Sequence, residues 1–212
     1  MSRWATFDCY GTLIDWNGGI RRELARVFGE ERAEEQLVRY HELEPELERD
    51  GARAYAEVLT DAMRGLGAPP GEEHGLAASL PSWEPFPETA RALTDVRDRG
   101  WSLAILSNSD PPQIAASLER IGVPFDEVVV AGAIGSYKPA HRHWEEFWAR
   151  TGADRAGHVH VGASIFHDAV PAHELGLPFV WINREGESSD LPTRELLDLT
   201  RLGETLDELV PA

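Results

Sequence analysis

The chain has a single cysteine, a single lysine, and no apolar run approaching the roughly 20 residues that a membrane helix needs. One thiol, Cys9, cannot close an intrachain disulfide, which removes the staple that small secreted domains depend on. The opening residues MSRWATFDCYG lack a basic segment followed by a long apolar stretch, so no signal peptide is expected and a cytoplasmic location is. Positive charge is scarce: 20 Lys and Arg stand against 37 Asp and Glu, a formal net charge of -17. So acidic a chain does not readily assemble a basic patch, and neither a nucleic acid nor an anionic membrane is an expected partner. A small anionic substrate requires cations gathered locally. What is present is ordinary for a globular protein, with 42% hydrophobic and 27% charged residues in 212. That length supports one substantial core, or one core with a small insertion.

The scarcity of lysine is informative in another way. Of the 20 basic residues only Lys138 is not arginine. A chain that uses arginine everywhere else and keeps one compact ammonium points to a requirement at that position.

Residues 4–9 read as a first strand, ended by Tyr10-Gly11-Thr12. From 20 to 67 apolar residues recur at three- and four-residue spacing among many charges, which predicts about three amphipathic helices. After two loops, a helix near 88–99 leads into the strand 101–106, which stops at Ser107, Asn108 and Ser109. Helix 112–121, strand 127–132, helix 141–152, strand 158–163, helix 167–176 and strand 178–183 then alternate. Such alternation predicts an α/β protein with a parallel sheet covered on both faces by helices. The helical block becomes an inserted cap. The expected division is a core of residues 1–14 and 84–212 and a cap of 15–83.

Open α/β sheets bind ligands beyond the carboxyl ends of their strands. Here those ends are Asp8, Ser107-Asn108, the 135–138 region and residues 163–168. Asp8 is placed to act as a nucleophile, which would divide a displacement into two easier steps through an ester or acyl phosphate; the alternative is a carboxylate that caps the following turn. An ammonium from Lys138 would hold it ionised, and Ser107 and Asn108 supply donors at the same rim. Asp168 reads as a helix cap, a water-activating base or a metal ligand, and His167 stands beside it. His158 and His160 face one side of a strand, without the second cluster that a zinc site requires.

The segments FDCYGTL, LAILSNSD, SYKPAHRHW, HVGASIFHDAVPAHELGLP and WINR occur in that order, with a helical insertion after the first. Together they resemble the haloacid dehalogenase superfamily over nearly the whole chain, and within it most resemble the type II L-2-haloacid dehalogenases. The resemblance implies a Rossmann-like core in which Asp8 is the nucleophile, Thr12, Ser107, Asn108 and Lys138 support it, and Asp168 helps position the hydrolytic water. It also implies that Arg39 meets a carboxylate substrate and receives departing halide, with Tyr10, Leu43 and Tyr55 walling the pocket. Trp144 stands where those enzymes carry a tyrosine near the substrate, and Ala163 and Ile165 stand where they carry serine and asparagine. Phosphatases of the superfamily place an aspartate at the position of Tyr10 and a magnesium-binding acid at Ala163. A metal-independent hydrolase acting on a small 2-substituted carboxylic acid is therefore expected. The alternatives are a magnesium-dependent phosphatase, a C–N ring-opening hydrolase and a non-enzymatic relative. By the same analogy a homodimer is expected.

Overall fold

The computed structural model describes residues 2–48 and 53–212. The first strand, β1 (Arg3–Phe7), buries Ala5 and Phe7 completely and is sandwiched between two parallel neighbours. It ends two residues before the expected limit, where the chain folds back so that the amides of Leu13 and Ile14 both reach the Cys9 carbonyl. Gly11, at φ +87, makes that reversal, in a region where other residues are strained.

A helical block follows: α1 (Trp16–Phe28), α2 (Glu30–Leu47), α3 (Tyr55–Gly65) and the short α4 (Gly75–Ser79). Asp15 starts α1 by accepting from the Gly18 amide at 2.9 Å. The chain then enters the alternating part: α5 (Thr89–Asp98), β2 (Trp101–Ser107), α6 (Pro111–Ile121), β3 (Glu127–Val130), α7 (Ala131–Ile134) and α8 (Arg142–Thr151). Proline at the start of α6 and left-handed glycines after α6 and α8, Gly122 and Gly152, punctuate it as helix ends require. β4 (His158–Gly162) leads into a wide π-type turn (Ile165–Ala169), α9 (Val170–Glu174), β5 (Phe179–Ile182), β6 (Arg194–Leu196) and α10 (Leu202–Leu209). β6 escaped the sequence reading because its three residues are largely exposed and carry no run of apolar side chains.

The six strands form one parallel sheet in the order β3-β2-β1-β4-β5-β6. Both faces are covered: Ala5, Phe7, Leu103, Ile105, Val159 and Val161 pack into one apolar cluster, and Ala104, Leu106, Val129, Phe179 and Trp181 into another with Trp144 and Phe147 of α8. The fold is α/β and Rossmann-like. Strand order reverses direction between β1 and β4, so a crevice opens beyond their carboxyl ends.

Candidate active site

Asp8 follows β1 and Asp168 lies in the turn after β4, on the two sides of that crevice. Lys138 bridges them, its Nζ 2.9 Å from Asp8 Oδ1 and 2.7 Å from Asp168 Oδ1. The ammonium is 1% exposed, so the pair of contacts is what makes its burial tolerable. Both carboxylates push the lysine above its usual range. Burial raises the Asp8 carboxyl, and Lys138 and the Thr12 hydroxyl, which donates to Asp8 Oδ2 at 2.9 Å, oppose that rise. Asn108 fixes the lysine's backbone from both sides: its Oδ1 accepts from the Lys138 amide at 2.6 Å and its Nδ2 donates to the Lys138 carbonyl at 3.0 Å.

Asp168 is held by more than the lysine. Trp148 Nε1 can only donate, and it meets His158 Nδ1 at 3.0 Å, so His158 carries its proton on Nε2. That nitrogen donates to Thr6 Oγ1 at 2.8 Å, which leaves the hydroxyl to donate to His160 Nδ1, also at 2.8 Å. His160 Nε2–H is then aimed at Asp168 Oδ1, 3.2 Å away. The chain requires both imidazoles neutral, and burial lowers both, His158 to about 3. The Ser164 amide serves Asp168 Oδ2 at 3.2 Å. With this set of partners, the ammonium foremost, Asp168 sits well below the usual carboxylate range. Gly162 permits the approach: a Cβ there would meet the Asp168 carboxyl carbon at 2.5 Å.

A cavity of ≈ 540 Å³ opens above these groups, walled by Asp8, Ser107, Asn108, Lys138, Ser164, His167 and Asp168 from the sheet side. The helical block contributes Trp16, His41, Glu44, Pro45, Glu48 and Tyr55. Tyr10 reaches it with its ring, stacked on Tyr55 at 6.5 Å, while its hydroxyl is tied to Ser117 Oγ at 3.0 Å. Burial pushes that phenol far above its ordinary value. It is not placed to release a proton.

Three residues expected at the substrate lie elsewhere. Arg39 donates to Gln36 Oε1 and to the Gly65 carbonyl, both at 3.3 Å, on the side of α2 that faces α3 rather than the cavity. At about 100° per residue, Arg39 is roughly 140° around the helix from Glu44. Leu43 packs against Gly65 in the apolar cluster. Trp144 is fully buried behind the sheet, edge-on to His160 at 5.1 Å.

Glu44 and Glu48 were missed. Glu44 accepts from Tyr55 OH at 3.3 Å, and Glu48 meets Asn108 Nδ2 at 3.4 Å and His167 Nε2 at 3.5 Å. Burial raises Glu44 to about 7; burial and the neighbouring Glu44 raise Glu48 to about 9. His167, lowered to about 4 by burial, is neutral. The fourfold spacing Gln36, Tyr40, Glu44 was the available signal, since all three are buried on one stripe of α2.

Comparison with known proteins agrees with this architecture. The chain is 30% identical to the (S)-2-haloacid dehalogenase of Pseudomonas sp. (strain YL), over 95% of this chain and 93% of that one. It is 33% identical to the glyceraldehyde 3-phosphate phosphatase of Methanothermobacter thermautotrophicus, but over only 48% of its length and 46% of that protein's. The solved structure of the L-2-haloacid dehalogenase from Xanthobacter autotrophicus with chloropropionic acid covalently bound superposes with a TM-score of 0.82 at 20% identity, covering 100% of both chains. The model of the haloacid dehalogenase-like hydrolases matches residues 3–176, and the chain belongs to that family.

Proposed function

We propose that the protein is a carbon–halide hydrolase that acts on a small 2-substituted carboxylic acid without a metal ion, residues 15–83 serving as the cap over a core of 1–14 and 84–212. Asp8 attacks C2; the carbon–halogen bond breaks, halide leaves with its electron pair, and an aspartyl ester remains. Water then adds to the ester carbonyl carbon, the bond from that carbon to the bridging oxygen breaks, and the former Asp8 oxygen leaves on C2 as the hydroxyl of a 2-hydroxy acid, while the water's oxygen remains in the Asp8 carboxylate and a proton is released. Lys138 and Thr12 orient the nucleophile. Because both oxygens of Asp168 are engaged, its part is to hold Lys138 and, with Ser164, the water's side of the cavity. His167, a neutral imidazole on the cavity wall, is the residue we assign to take the water's proton.

The observation that carries this reading is Tyr10. A phosphate ester needs its leaving oxygen protonated, and the residue two places after Asp8 offers only a phenol bound to Ser117. A halide leaves unprotonated. Magnesium would look to Asp8, the Tyr10 carbonyl and Asp168, yet Lys138 already binds an oxygen of each carboxylate, and Ala163 has no side-chain oxygen. Among the described residues no group of three His, Cys, Asp or Glu is arranged to hold a metal. This donor set does not fit the ion.

The test is halide release from 2-chloropropionate enantiomers and haloacetates beside phosphate release from a chromogenic monoester, each with and without EDTA. Chloride release that survives EDTA and is lost in Asp8→Asn supports the reading. Magnesium-dependent phosphate release overturns it.

A further inference from the structure

We propose that the helical wall of the cavity is a subsite for a protonated amine, so that the preferred substrate is a 2-substituted carboxylic acid that also bears an ammonium group. The proposal rests on the dehalogenase reading of the same site and names its substrate class.

The cavity's charges are unbalanced. Five carboxyl groups line it, Asp8, Glu44, Glu48, Asp168 and Glu187, against one ammonium, and Lys138 is committed to Asp8 and Asp168. Among the described residues no arginine lines it. Glu44 and Glu48 are each 8% exposed, and among the described residues neither meets a lysine or arginine within ion-pair distance. Two buried acids side by side without a counter-ion keep a proton at a cost in stability, and a ligand that supplies the missing positive charge lets both ionise. A plain anionic acid does not supply it. An ammonium does.

Independent features point the same way. Ser107 Oγ is buried in the same cavity and lacks a partner among the described residues, which leaves one hydroxyl for the substrate's carboxylate end. Pro45 lies inside α2 and has no N–H to give to the carbonyl of His41, and both residues line the helical wall. That wall therefore offers two carboxyl groups and a free carbonyl as acceptors, beside one indole donor, Trp16 Nε1. Tyr10, Trp16, Tyr55 and Phe166 add aromatic faces, which attract cations.

The experiment compares enzyme-catalysed chloride release, above the enzyme-free rate, from 2-chlorobutyrate and 2-chlorohexanoate with that from 4-amino-2-chlorobutyrate and 6-amino-2-chlorohexanoate. At least one amino acid is expected to exceed its chain-matched partner by about tenfold in kcat/KM, the size of one well-placed ionic contact. Glu44→Gln and Glu48→Gln should erase that preference and raise kcat/KM for the plain acids. If plain acids are turned over at least as well as the amines, the amine subsite is refuted while the dehalogenase reading stands. If no chloride is released from any of them, that reading fails, and calorimetry with 4-aminobutyrate against butyrate on the same protein decides the subsite alone. Tighter binding of the amine that disappears in Glu44→Gln upholds it; equal binding refutes it.

Discussion

On the sheet side of the cavity, Asp8 and Asp168 share one ammonium at 2.9 and 2.7 Å, and a chain of four hydrogen-bonded side chains stands behind Asp168. On the helical side, Glu44 and Glu48 have only neutral partners among the described residues, at 3.3 to 3.5 Å. The first wall pairs its charges internally. The second does not. The contrast separates the machinery that makes and breaks bonds from the surface that selects what enters, and the two respond differently to substitution.

The largest effect is expected at the nucleophile. Asp8→Asn should lower kcat by about 10⁴-fold or more, as loss of a covalent catalyst does, while the fold persists because Lys138 keeps Asp168; steady-state halide release with a circular-dichroism check measures both. Lys138→Met leaves two buried carboxylates unpaired and should cost about 3–5 kcal/mol by urea denaturation, in addition to activity.

Glu48→Gln should act in the opposite direction. Glu48 has an ordinary value of 4.5 and stands at about 9 in the folded chain. Between those values the folded protein keeps a proton that the unfolded chain has released, so stability falls as pH rises through the window and the full cost is present above it. The variant should therefore melt higher than the parent at pH 9, by an amount that shrinks toward nothing near pH 5; a pH-independent difference would contradict the assignment. His160→Phe breaks the chain behind Asp168 and should cost about 1–3 kcal/mol, with a loss in kcat larger than any change in KM. Smallest is Arg39→Ala. Its guanidinium faces Gln36 and Gly65, so stability should move by less than about 0.5 kcal/mol, and KM should be unaltered. A large rise in KM would return Arg39 to the substrate and weaken the contrast between the walls.

The same contrast explains what could be read from the sequence. Asp8, Ser107, Asn108, Lys138 and Asp168 each sit where an apolar strand or the loop after it ends, and a parallel sheet has one carboxyl edge, so finding the strands brought the residues together. The helical wall offers no such rule. Which side of α2 faces the cavity depends on how the block seats on the sheet, and a periodic helix rich in arginine and glutamate fits several rotations. The family resemblance places Arg39 at the pocket, whereas the helix turns it toward α3. His160 was visible as half of an alternating pair, but its link to Asp168 depends on the pairing of β1 with β4, which brings Thr6 against His160. β6 carried too little apolar patterning to be found.

The most direct test of covalent displacement at Asp8 is a single turnover of 2-chloropropionate in oxygen-18 water, with excess enzyme, followed by mass spectrometry of the Asp8 peptide and of the lactate formed. Attack through an aspartyl ester predicts the label in the Asp8 carboxylate and unlabelled lactate from that first turnover. Label in lactate with none in Asp8 would mean that water attacks C2 directly, and would contradict the account.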